Sequence, residues 1–252
     1  MPPSPLRPPS IEESGEALAP IAPQPLAWPT VFDTPAEVER AWSDFVGNHP
    51  DEEQALFRRA LEFARAKHGA QRRRGSDTPY WIHPVRVAME LARWGEDTPA
   101  LVQAALLHDV LEDTATTPSE LAETFGPEVA GMVSWLTAPE GRRTDDVRAY
   151  YQHLARTAPA AVRLLKIADR ADNLRSIQAL VMRTGARHRR WAGSYLDSTR
   201  WQVLPLAAEA PSVARVALVT AMADLAPLVG GDDGLAPEAD DALNRPDEIT
   251  DA

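Results

Sequence analysis

The sequence predicts an all-α fold, built as one domain with a tail at each end. Apolar residues recur at three- and four-residue spacing through most of the chain, which is the period of an amphipathic helix. A capping residue followed by proline and glutamate, which is a helix-start signal, occurs twice. No stretch shows the sustained alternation typical of a β-strand. The 252 residues and the hydrophobic content of 44% suffice for a packed core.

The first two helices are predicted from local signals. Thr34-Pro35 begins the first helix, with Glu37 three residues after the cap, and this helix continues to about residue 46. A second helix begins at Pro50-Asp51 and stops near His68-Gly69. Its inward stripe is predicted from residues three or four apart, namely Leu56, Ala60, Phe63 and Lys67.

The remaining helices are predicted from the same period and from breakers. Trp81-Ile-His-Pro84 leads into a helix that ends near Trp94-Gly95, and Gly126-Pro127 separates two short helices that follow the capping residue Thr117. Residues 138–143 are predicted to form a loop. Other helices are predicted over 99–114, 144–156, 159–177, 187–208 and 211–228.

The charge of the chain is concentrated at its ends. Residues 1–30 contain nine prolines and little periodicity, so this segment is predicted to be disordered. Residues 230–252 carry eight acids against one arginine, and we predict a disordered acidic tail there. The net charge of −11 therefore belongs mostly to solvated tails, and the domain over 31–229 is nearly neutral. The lack of a basic surface argues against general nucleic-acid binding.

Composition also excludes some classes of function. The chain has no cysteine, so a disulfide framework, a zinc–thiolate site and a thiol nucleophile are excluded. No basic-then-apolar leader and no run of roughly 18 apolar residues is evident, so neither export nor a membrane span is expected. A cytoplasmic protein is the expectation.

Residues Pro99–Thr114 contain the most unusual stretch. Leu101, Ala104 and His108 lie on one apolar helical face, and Asp109, Glu112 and Asp113 follow within five residues of the histidine. A single His-Asp pair on a helix is usually structural. Buried carboxylates in this number need compensation, and a divalent cation is the usual partner.

Other candidate ligands lie elsewhere in the chain. His83 directly precedes Pro84, which restricts the backbone around it. Asp169 follows an apolar stripe, and Asn173 lies one turn later on the same face. A buried carboxylate without a partner is costly, so a partner is expected. The loop from Gln71 to Tyr80 carries three adjacent arginines, which are more often solvated but leave a phosphate or base contact open.

These motifs together resemble those of a known family. Three motifs resemble those of the metal-dependent HD phosphohydrolases. They are Tyr80-Trp-Ile-His-Pro84, His108-Asp-Val-Leu-Glu-Asp-Thr114 and Ile167-Ala-Asp-Arg-Ala-Asp-Asn173. The similarity is stronger to the hydrolase domain of the RelA/SpoT family, over roughly residues 53–180. It implies a helical HD-domain bundle that binds Mn²⁺ and hydrolyses a nucleotide. The implied metal ligands are His83, His108, Asp109 and Asp169.

The resemblance also implies roles for six further residues. Glu112 and Asp113 correspond to the pair that helps activate the attacking water. The implied substrate-binding residues are Arg73, Arg74, Asn173 and Ser176. Two departures from the family pattern are visible: the arginine loop is one residue longer than the common bacterial form, and Asp172 stands where the family often has histidine. Because Asp172 lies beside the implied ligands, we expect the hydrolase chemistry to survive.

The leading hypothesis for function is removal of the 3′-pyrophosphate from (p)ppGpp, which gives GDP or GTP. Two alternatives remain open. The substrate could be another nucleotide, such as (p)ppApp or the 2′-phosphate of NADPH, or the chain could be a catalytically inactive nucleotide-sensing module. The expected partner is a small-molecule nucleotide, with no nucleic acid and no membrane. The chain looks like a small stand-alone alarmone hydrolase, and its oligomeric state is not predicted.

Overall fold

The computed structural model describes residues 28–138 and 144–230, and the regular structure in these ranges is helical. The prediction of an all-α fold is confirmed. The α-helices are α1 Pro35–Gly47, α2 Asp51–His68, α3 Ile82–Arg93, α4 Pro99–Leu107, α5 Val110–Asp113, α6 Pro118–Leu136, α7 Thr144–Thr157, α8 Ala160–Thr184, α9 Arg189–Gln202 and α10 Ser212–Val229. Short 3₁₀ helices cover Gly185–His188 and Leu204–Glu209.

The capping signals act mostly as predicted. At α1 the Thr34 hydroxyl accepts from the Glu37 amide, and the Glu37 carboxylate accepts from the Thr34 amide at 2.7 Å. These bonds satisfy amide groups that have no partner within the helix. At α6 the Thr117 hydroxyl caps the Glu120 amide, but the Glu120 side chain pairs instead with Lys67 at 2.7 Å.

The long helix α8 is the centre of the bundle. It packs against α3, α4 and α6 on one side and against α9 and α10 on the other. Ile167, Ala168 and Leu174 of this helix are fully buried in the core. Because α8 contacts most of the other helices, polar residues on its inward face meet side chains that come from distant parts of the sequence.

The predicted inward stripe of α2 was wrong only in part: Ala60 is buried and Phe63 is half-buried against the core as predicted, but the buried stripe is offset by one position at its two ends. Leu56 is 37% exposed, whereas Phe57, Ala60, Ala64 and His68 are buried. Both stripes fit helical spacing, and packing against α1 and α4 selects the one that buries Phe57 between Trp42 and Phe45. The correction matters because it brings His68 inward.

The predicted helix over 99–114 was also wrong in one respect. It is divided into α4 and α5, with His108 and Asp109 at the junction. Asp109 has φ −100° and ψ −5°, and its carbonyl accepts from the amides of Glu112 and Asp113, so the helix starts again there. Thr98 occupies the N-cap position of α4 without a side-chain hydrogen bond.

Later boundaries differ by up to a few turns from the prediction. Helix α8 continues past residue 177 to Thr184, and the segment over 187–208 consists of α9 flanked by the two 3₁₀ helices. The predicted break at Gly126 is a kink inside α6, where Gly126 adopts φ 85° and ψ 163°. A positive φ of this kind favours glycine, which explains why the break falls there.

The described residues include only a small part of the predicted tails and of the predicted loop. Trp28 packs against the core and Phe32 is 69% exposed, so only the first of these two aromatic side chains docks. Apart from residues 28–30, Ala138 and Gly230, the predicted tails over 1–30 and 230–252 and the predicted loop over 138–143 lie outside the described residues.

One helix in the described ranges, α10, is long and apolar enough to cross a membrane by length and composition. It carries Arg215 and Asp224, and it packs along α8. Five of its residues are buried in the core of the domain, namely Ala214, Ala217, Leu218, Ala221 and Leu225. Helix α10 thus packs one face on the domain, while its other face, which includes Val213, Val216 and Val219, is exposed.

Candidate active site

Three helix segments bring the predicted metal ligands together. His83 lies in the first turn of α3, His108 and Asp109 lie at the junction of α4 and α5, and Asp169 lies inside α8. Consecutive side chains on a regular helix point about 100° apart. The break after α4 alters the backbone at this point, and both His108 and Asp109 reach the same cluster.

The ligand atoms of the four residues converge in a small volume. His83 Nε2 lies 3.3 Å from Asp169 Oδ1 and 3.7 Å from Asp109 Oδ2. His108 Nε2 lies 3.0 Å from Asp109 Oδ2 and 3.6 Å from Asp169 Oδ1. Within the described ranges, His83, His108 and Asp169 form a group whose ligand atoms all lie within 4.8 Å of one another. We call these four residues the histidine–aspartate cluster.

Both imidazoles present an unprotonated nitrogen to the cluster when they are neutral. His83 Nδ1 donates to Asp172 Oδ2 at 2.6 Å, and His108 Nδ1 donates to the carbonyl of Ala105 at 2.8 Å. The Nε2 lone pairs are therefore left for a ligand. His108 Nε2 is buried, and its nearest polar neighbours are the carboxylates of Asp109 and Asp169, which are ligands of the same proposed cation. A divalent cation fits this donor set of two imidazoles and two carboxylates.

Asp169 is held in its charged form by polar neighbours on its own helix. Asn173 Nδ2 donates to its Oδ1 at 2.6 Å, and Lys166 Nζ donates to its Oδ2 at 2.9 Å. Burial alone would raise the pKa of Asp169, but the Lys166 ammonium holds that pKa well below its usual value. The carboxylate is thus ionised and available as a ligand at neutral pH.

The electrostatics of His108 and Asp109 are linked. Burial opposes a charge on His108, yet the carboxylates of Asp109 and Asp169 raise the pKa of its imidazole well above the ordinary value. Burial would likewise raise the pKa of Asp109, and the neighbouring His108 lowers it. With only protein groups around it, His108 therefore carries the proton that a metal ion would displace.

Asp113 is joined to the cluster by a tyrosine. The Tyr80 hydroxyl lies 2.5 Å from Asp109 Oδ2 and 2.9 Å from Asp113 Oδ2, so it bridges a predicted ligand and a predicted catalytic residue. The ring of Tyr80 stacks on His68 with their centroids 4.4 Å apart. His68 Nδ1 lies 2.7 Å from Gln71 Oε1, and Gln71 Nε2 donates to the Asp113 carbonyl at 2.9 Å.

Glu112 lies at the outer edge of the cluster. Its side chain is exposed, and Oε1 accepts from the Ala138 amide at 2.6 Å. This bond ties α5 to the segment that follows α6. Glu112 is near enough to contribute to the electrostatic environment of the half-buried Lys166. The two predicted catalytic carboxylates therefore differ, because Asp113 is bound to the cluster through Tyr80 and Glu112 faces solvent.

The predicted substrate-binding residues line one cavity beside the cluster. Arg73 is buried and donates to Asn173 Oδ1 at 2.5 Å, so the side chain of Asn173 connects Arg73 to Asp169. The cavity encloses about 580 Å³, including its open mouth. Its polar lining residues are Arg73, Arg74, Ser76, Thr78, Arg86, Asn173, Ser176 and Arg183, and we call it the arginine-lined cavity.

The outer wall of this cavity holds the arginine loop in place. The Arg74 guanidinium lies 4.5 Å from the centroid of the Trp191 ring. Arg183 donates to the Gly75 carbonyl at 2.6 Å. Gly75 has φ 64°, and a Cβ at this position would lie 2.8 Å from Leu180 Cδ1. The loop therefore rests directly against the C-terminal half of α8.

Sequence reasoning missed several residues of this site, among them Lys166, Arg86 and His68 beside the cluster and Trp191 and Arg183 along the cavity. Lys166 precedes Asp169 by three positions, and Arg86 follows His83 by three, so helical spacing was the available signal. His68 was missed because the stripe predicted for α2 was offset by one position. All ten predicted site residues lie in the cluster, at its edge or along the cavity, and their functional roles stay predictions.

Comparisons with known proteins agree with this arrangement. The HD domain family matches residues 60–194. The chain is 40% identical over 133 residues to guanosine-3′,5′-bis(diphosphate) 3′-pyrophosphohydrolase of Aquifex aeolicus (strain VF5), covering 52% of this chain and 19% of that protein. It is 38% identical over 151 residues to a probable GTP pyrophosphokinase of Mycobacterium leprae (strain TN), covering 56% of this chain and 18% of that protein.

A solved structure is similar across most of the domain. It is described as a metazoan ortholog of SpoT that hydrolyzes ppGpp and plays a role in starvation responses. It shares 27% sequence identity with this chain at a TM-score of 0.61, and the match covers 70% of this chain and 97% of that one.

The fold, the cluster and the family match define one class of protein: the chain belongs to the HD domain family, whose members are metal-dependent phosphohydrolases. Within that family it is homologous to the RelA/SpoT hydrolases, as the motifs predicted. The chain spans about a fifth of the length of the curated relatives it matches.

Proposed function

We propose that this chain is a Mn²⁺-dependent 3′-pyrophosphohydrolase of (p)ppGpp. The observation that carries the proposal is the bridge made by Asn173, which links Arg73 of the cavity to Asp169 of the cluster. A nucleotide held in the cavity would have its phosphates next to the cluster. The activity named for the Aquifex relative and the ppGpp hydrolysis stated for the metazoan structure support this substrate.

The cation would be held by His83, His108, Asp109 and Asp169. Two imidazoles and two carboxylates suit a borderline-hard ion such as Mn²⁺. When bound, such an ion supplies Lewis-acid stabilisation of the charge that develops on the phosphoryl oxygens. The protein contributes the orientation of its ligands, since each histidine has its Nδ1 proton fixed by an acceptor.

Proton transfer is assigned to the carboxylates of Glu112 and Asp113. In the proposed reaction, the oxygen of a water molecule attacks the phosphorus atom that is bonded to the 3′ oxygen. The bond between this phosphorus and the 3′ oxygen then breaks. One proton of the water passes to a carboxylate, and the resulting carboxylic acid, or solvent in exchange with it, returns a proton to the leaving 3′ oxygen, so that the products are the 3′ hydroxyl and pyrophosphate. Asp113 is linked through Tyr80 to Asp109, and Glu112 is accessible to solvent for proton exchange.

Substrate binding is assigned to Arg73, Arg74, Asn173 and Ser176. Guanidinium groups pair with phosphate oxygens through two parallel hydrogen bonds and stack on planar rings. The pairing of Arg74 with Trp191 provides a flat, cationic surface at the cavity mouth. These features favour a ligand that combines a base with several phosphates, which is the chemistry of (p)ppGpp.

The test is a substrate panel with the purified protein and Mn²⁺. Incubation with ppGpp, pppGpp, ppApp and NADPH, followed by anion-exchange chromatography, is expected to give pyrophosphate with GDP from ppGpp and with GTP from pppGpp. Omission of Mn²⁺ or addition of a chelator should abolish turnover. Release of phosphate from NADPH without turnover of ppGpp would overturn the proposal, as would binding of ppGpp without any product.

The proposed location follows from the composition of the chain and from the proposed substrate. We propose that the protein acts in the cytoplasm on a small-molecule nucleotide, because it has no cysteine and its proposed substrate is a nucleotide. Fractionation of cells that express the chain, with immunodetection in each fraction, tests the location.

A further inference from the structure

Asp172 contacts the face of His83 that points away from the cluster. Its Oδ2 lies 2.6 Å from His83 Nδ1, and the side chains of the two residues are 4% and 1% exposed. Because an ionised carboxylate can only accept, Nδ1 is the donor, and the Nε2 lone pair of His83 is left facing Asp169 at 3.3 Å. Asp172 thereby selects the ring orientation and the tautomer that a metal ligand needs.

Arg86 fixes the carboxylate of Asp172 in turn. Its Nε donates to Asp172 Oδ1 at 2.7 Å, and one of its terminal nitrogens donates to Asp172 Oδ2 at 2.9 Å. Two parallel bonds from a planar guanidinium hold the plane of the carboxylate as well as its position. The pair is buried and its charges compensate, so Asp172 orients His83 without adding net negative charge near the cluster.

The two histidines of the cluster differ in how they are oriented. His108 Nδ1 donates to the carbonyl of Ala105, which is a backbone acceptor one turn back in α4. His83 Nδ1 is instead oriented by a side chain, because its acceptor is the carboxylate of Asp172. Asp172 lies 89 positions away in the sequence. A single substitution at Asp172 can therefore remove the acceptor that orients His83. The acceptor of His108 is a backbone carbonyl, which a side-chain substitution does not remove.

We propose that Asp172 is a positioning residue for metal binding, and that Arg86 acts through it. Asp172 fixes the Nδ1-protonated tautomer of His83, and Arg86 fixes Asp172. Arg86 also donates to Ser176 Oγ at 3.1 Å and lines the arginine-lined cavity, so one side chain joins the cavity wall to a metal ligand. This inference rests on the proposed role of His83 as a ligand and deepens it, at the position where the motif departs from the family pattern.

The first test measures metal affinity directly. Calorimetric titration of metal-free protein with Mn²⁺ is expected to show binding weakened by about 10–100-fold in Asp172→Asn, the range typical for loss of a partner behind a metal-ligating histidine. Asp172→Asn keeps the shape of the side chain and removes its charge. Arg86→Lys is expected to weaken binding less, because an ammonium group cannot make both parallel bonds.

The matched control is a second ion pair across the same two helices. Glu90 of α3 and Arg175 of α8 are joined at 3.0 Å, and Glu90 is 8% exposed, but neither contacts His83 in the described structure. Glu90→Gln should reduce thermal stability without changing Mn²⁺ affinity. An equal loss of affinity in Glu90→Gln and Asp172→Asn would overturn the proposal, because packing of α3 on α8 would then explain both.

A spectroscopic test does not require the metal. In ¹⁵N-histidine spectra of the metal-free protein, His83 should be protonated at Nδ1, and Asp172→Asn should shift its two nitrogens toward a tautomer mixture. Unchanged His83 signals together with unchanged Mn²⁺ affinity would overturn the inference. If Asp172→Asn does not fold, Arg86→Lys carries both measurements. Wild-type protein that binds Mn²⁺ but does not hydrolyse ppGpp would reject the proposed function alone.

Discussion

The histidine–aspartate cluster and the arginine-lined cavity meet at Asn173, yet they are built in different ways. The cluster lies between helices, its two histidines are each 1% exposed, and its atoms are positioned by the packing of α3, α4 and α8. The cavity opens to solvent, and two of its arginines come from the loop between α2 and α3. The difference implies that loop residues at the cavity mouth, such as Arg74, can be altered with little effect on the cluster, whereas Arg73, Asn173 and Arg86 connect the two regions.

The largest loss of bound metal and of turnover is expected from Asp109→Ala in the cluster. Removal of one of four proposed ligands leaves His108 Nε2 without its nearest partner, at 3.0 Å, and no cysteine can replace the missing group. Mn²⁺ content after dialysis and ppGpp turnover should both fall to background. Asp224→Ala, on the exposed surface of α10, is the control. Full metal content with normal turnover in Asp109→Ala would reject the ligand assignment.

A smaller effect is expected from Glu112→Gln. The substitution preserves shape and removes the base, so turnover should fall by about 10²–10⁴-fold while bound Mn²⁺ stays at the wild-type level. The comparison with Asp113→Asn shows which carboxylate receives the proton. Glu123→Gln, an exposed acid on α6, should leave turnover unchanged. Wild-type rates in metal-loaded Glu112→Gln would remove Glu112 from the mechanism.

Arg74→Ala should weaken substrate binding in the cavity without changing metal binding in the cluster. Loss of a charge-assisted contact to phosphate or base costs about 1.5–3 kcal/mol, which corresponds to roughly a 10–100-fold rise in KM for ppGpp. Because Arg74 lies over Trp191 and outside the cluster, kcat and Mn²⁺ affinity should change little. Steady-state kinetics at saturating Mn²⁺ measure both constants. A loss confined to kcat would mean that the two regions are not separable.

The smallest effect is a pH dependence of metal binding. The pKa of His108 is raised in the protein without metal, so the imidazole is protonated below that pKa and must lose a proton to bind a cation. Apparent Mn²⁺ affinity should therefore fall as pH falls, by up to about tenfold per pH unit for each proton released. Calorimetry in buffers of different ionisation enthalpy counts the protons. Affinity independent of pH would contradict this assignment.

The fold class could be predicted because its signals are local, and the ten site residues were assigned from short motifs and from the family resemblance that those motifs carry. Helical period, capping residues and short motifs carried the prediction of helices, with three of the proposed ligands near helix ends and Asp169 on an inward face. What the sequence could not specify depends on pairing between helices. The contact between His83 and Asp172 joins residues 89 positions apart, and the break at Asp109 interrupts a stretch whose period fits one continuous helix.

The same limit explains the error in α2. Leu56 and Phe57 both begin stripes with helical spacing, and only the aromatic neighbours Trp42 and Phe45 decide which stripe turns inward. Once Phe57 is inward, His68 is inward too and can stack on Tyr80. A stripe chosen by period alone therefore misses a residue next to the cluster.

Gly75 has a consequence for how the family can diversify. Its backbone rests on Leu180, and its carbonyl is bound by Arg183, two turns or more beyond Asn173 along α8. At Gly75 the loop is thus attached to the part of α8 that is distant from Asp169, whereas Arg73, near the start of the loop, reaches Asp169 through Asn173. Substitutions around Arg74 and Gly75 can therefore alter the surface that meets a nucleotide without displacing the ligands, so the base preference of the site can change while its chemistry stays the same.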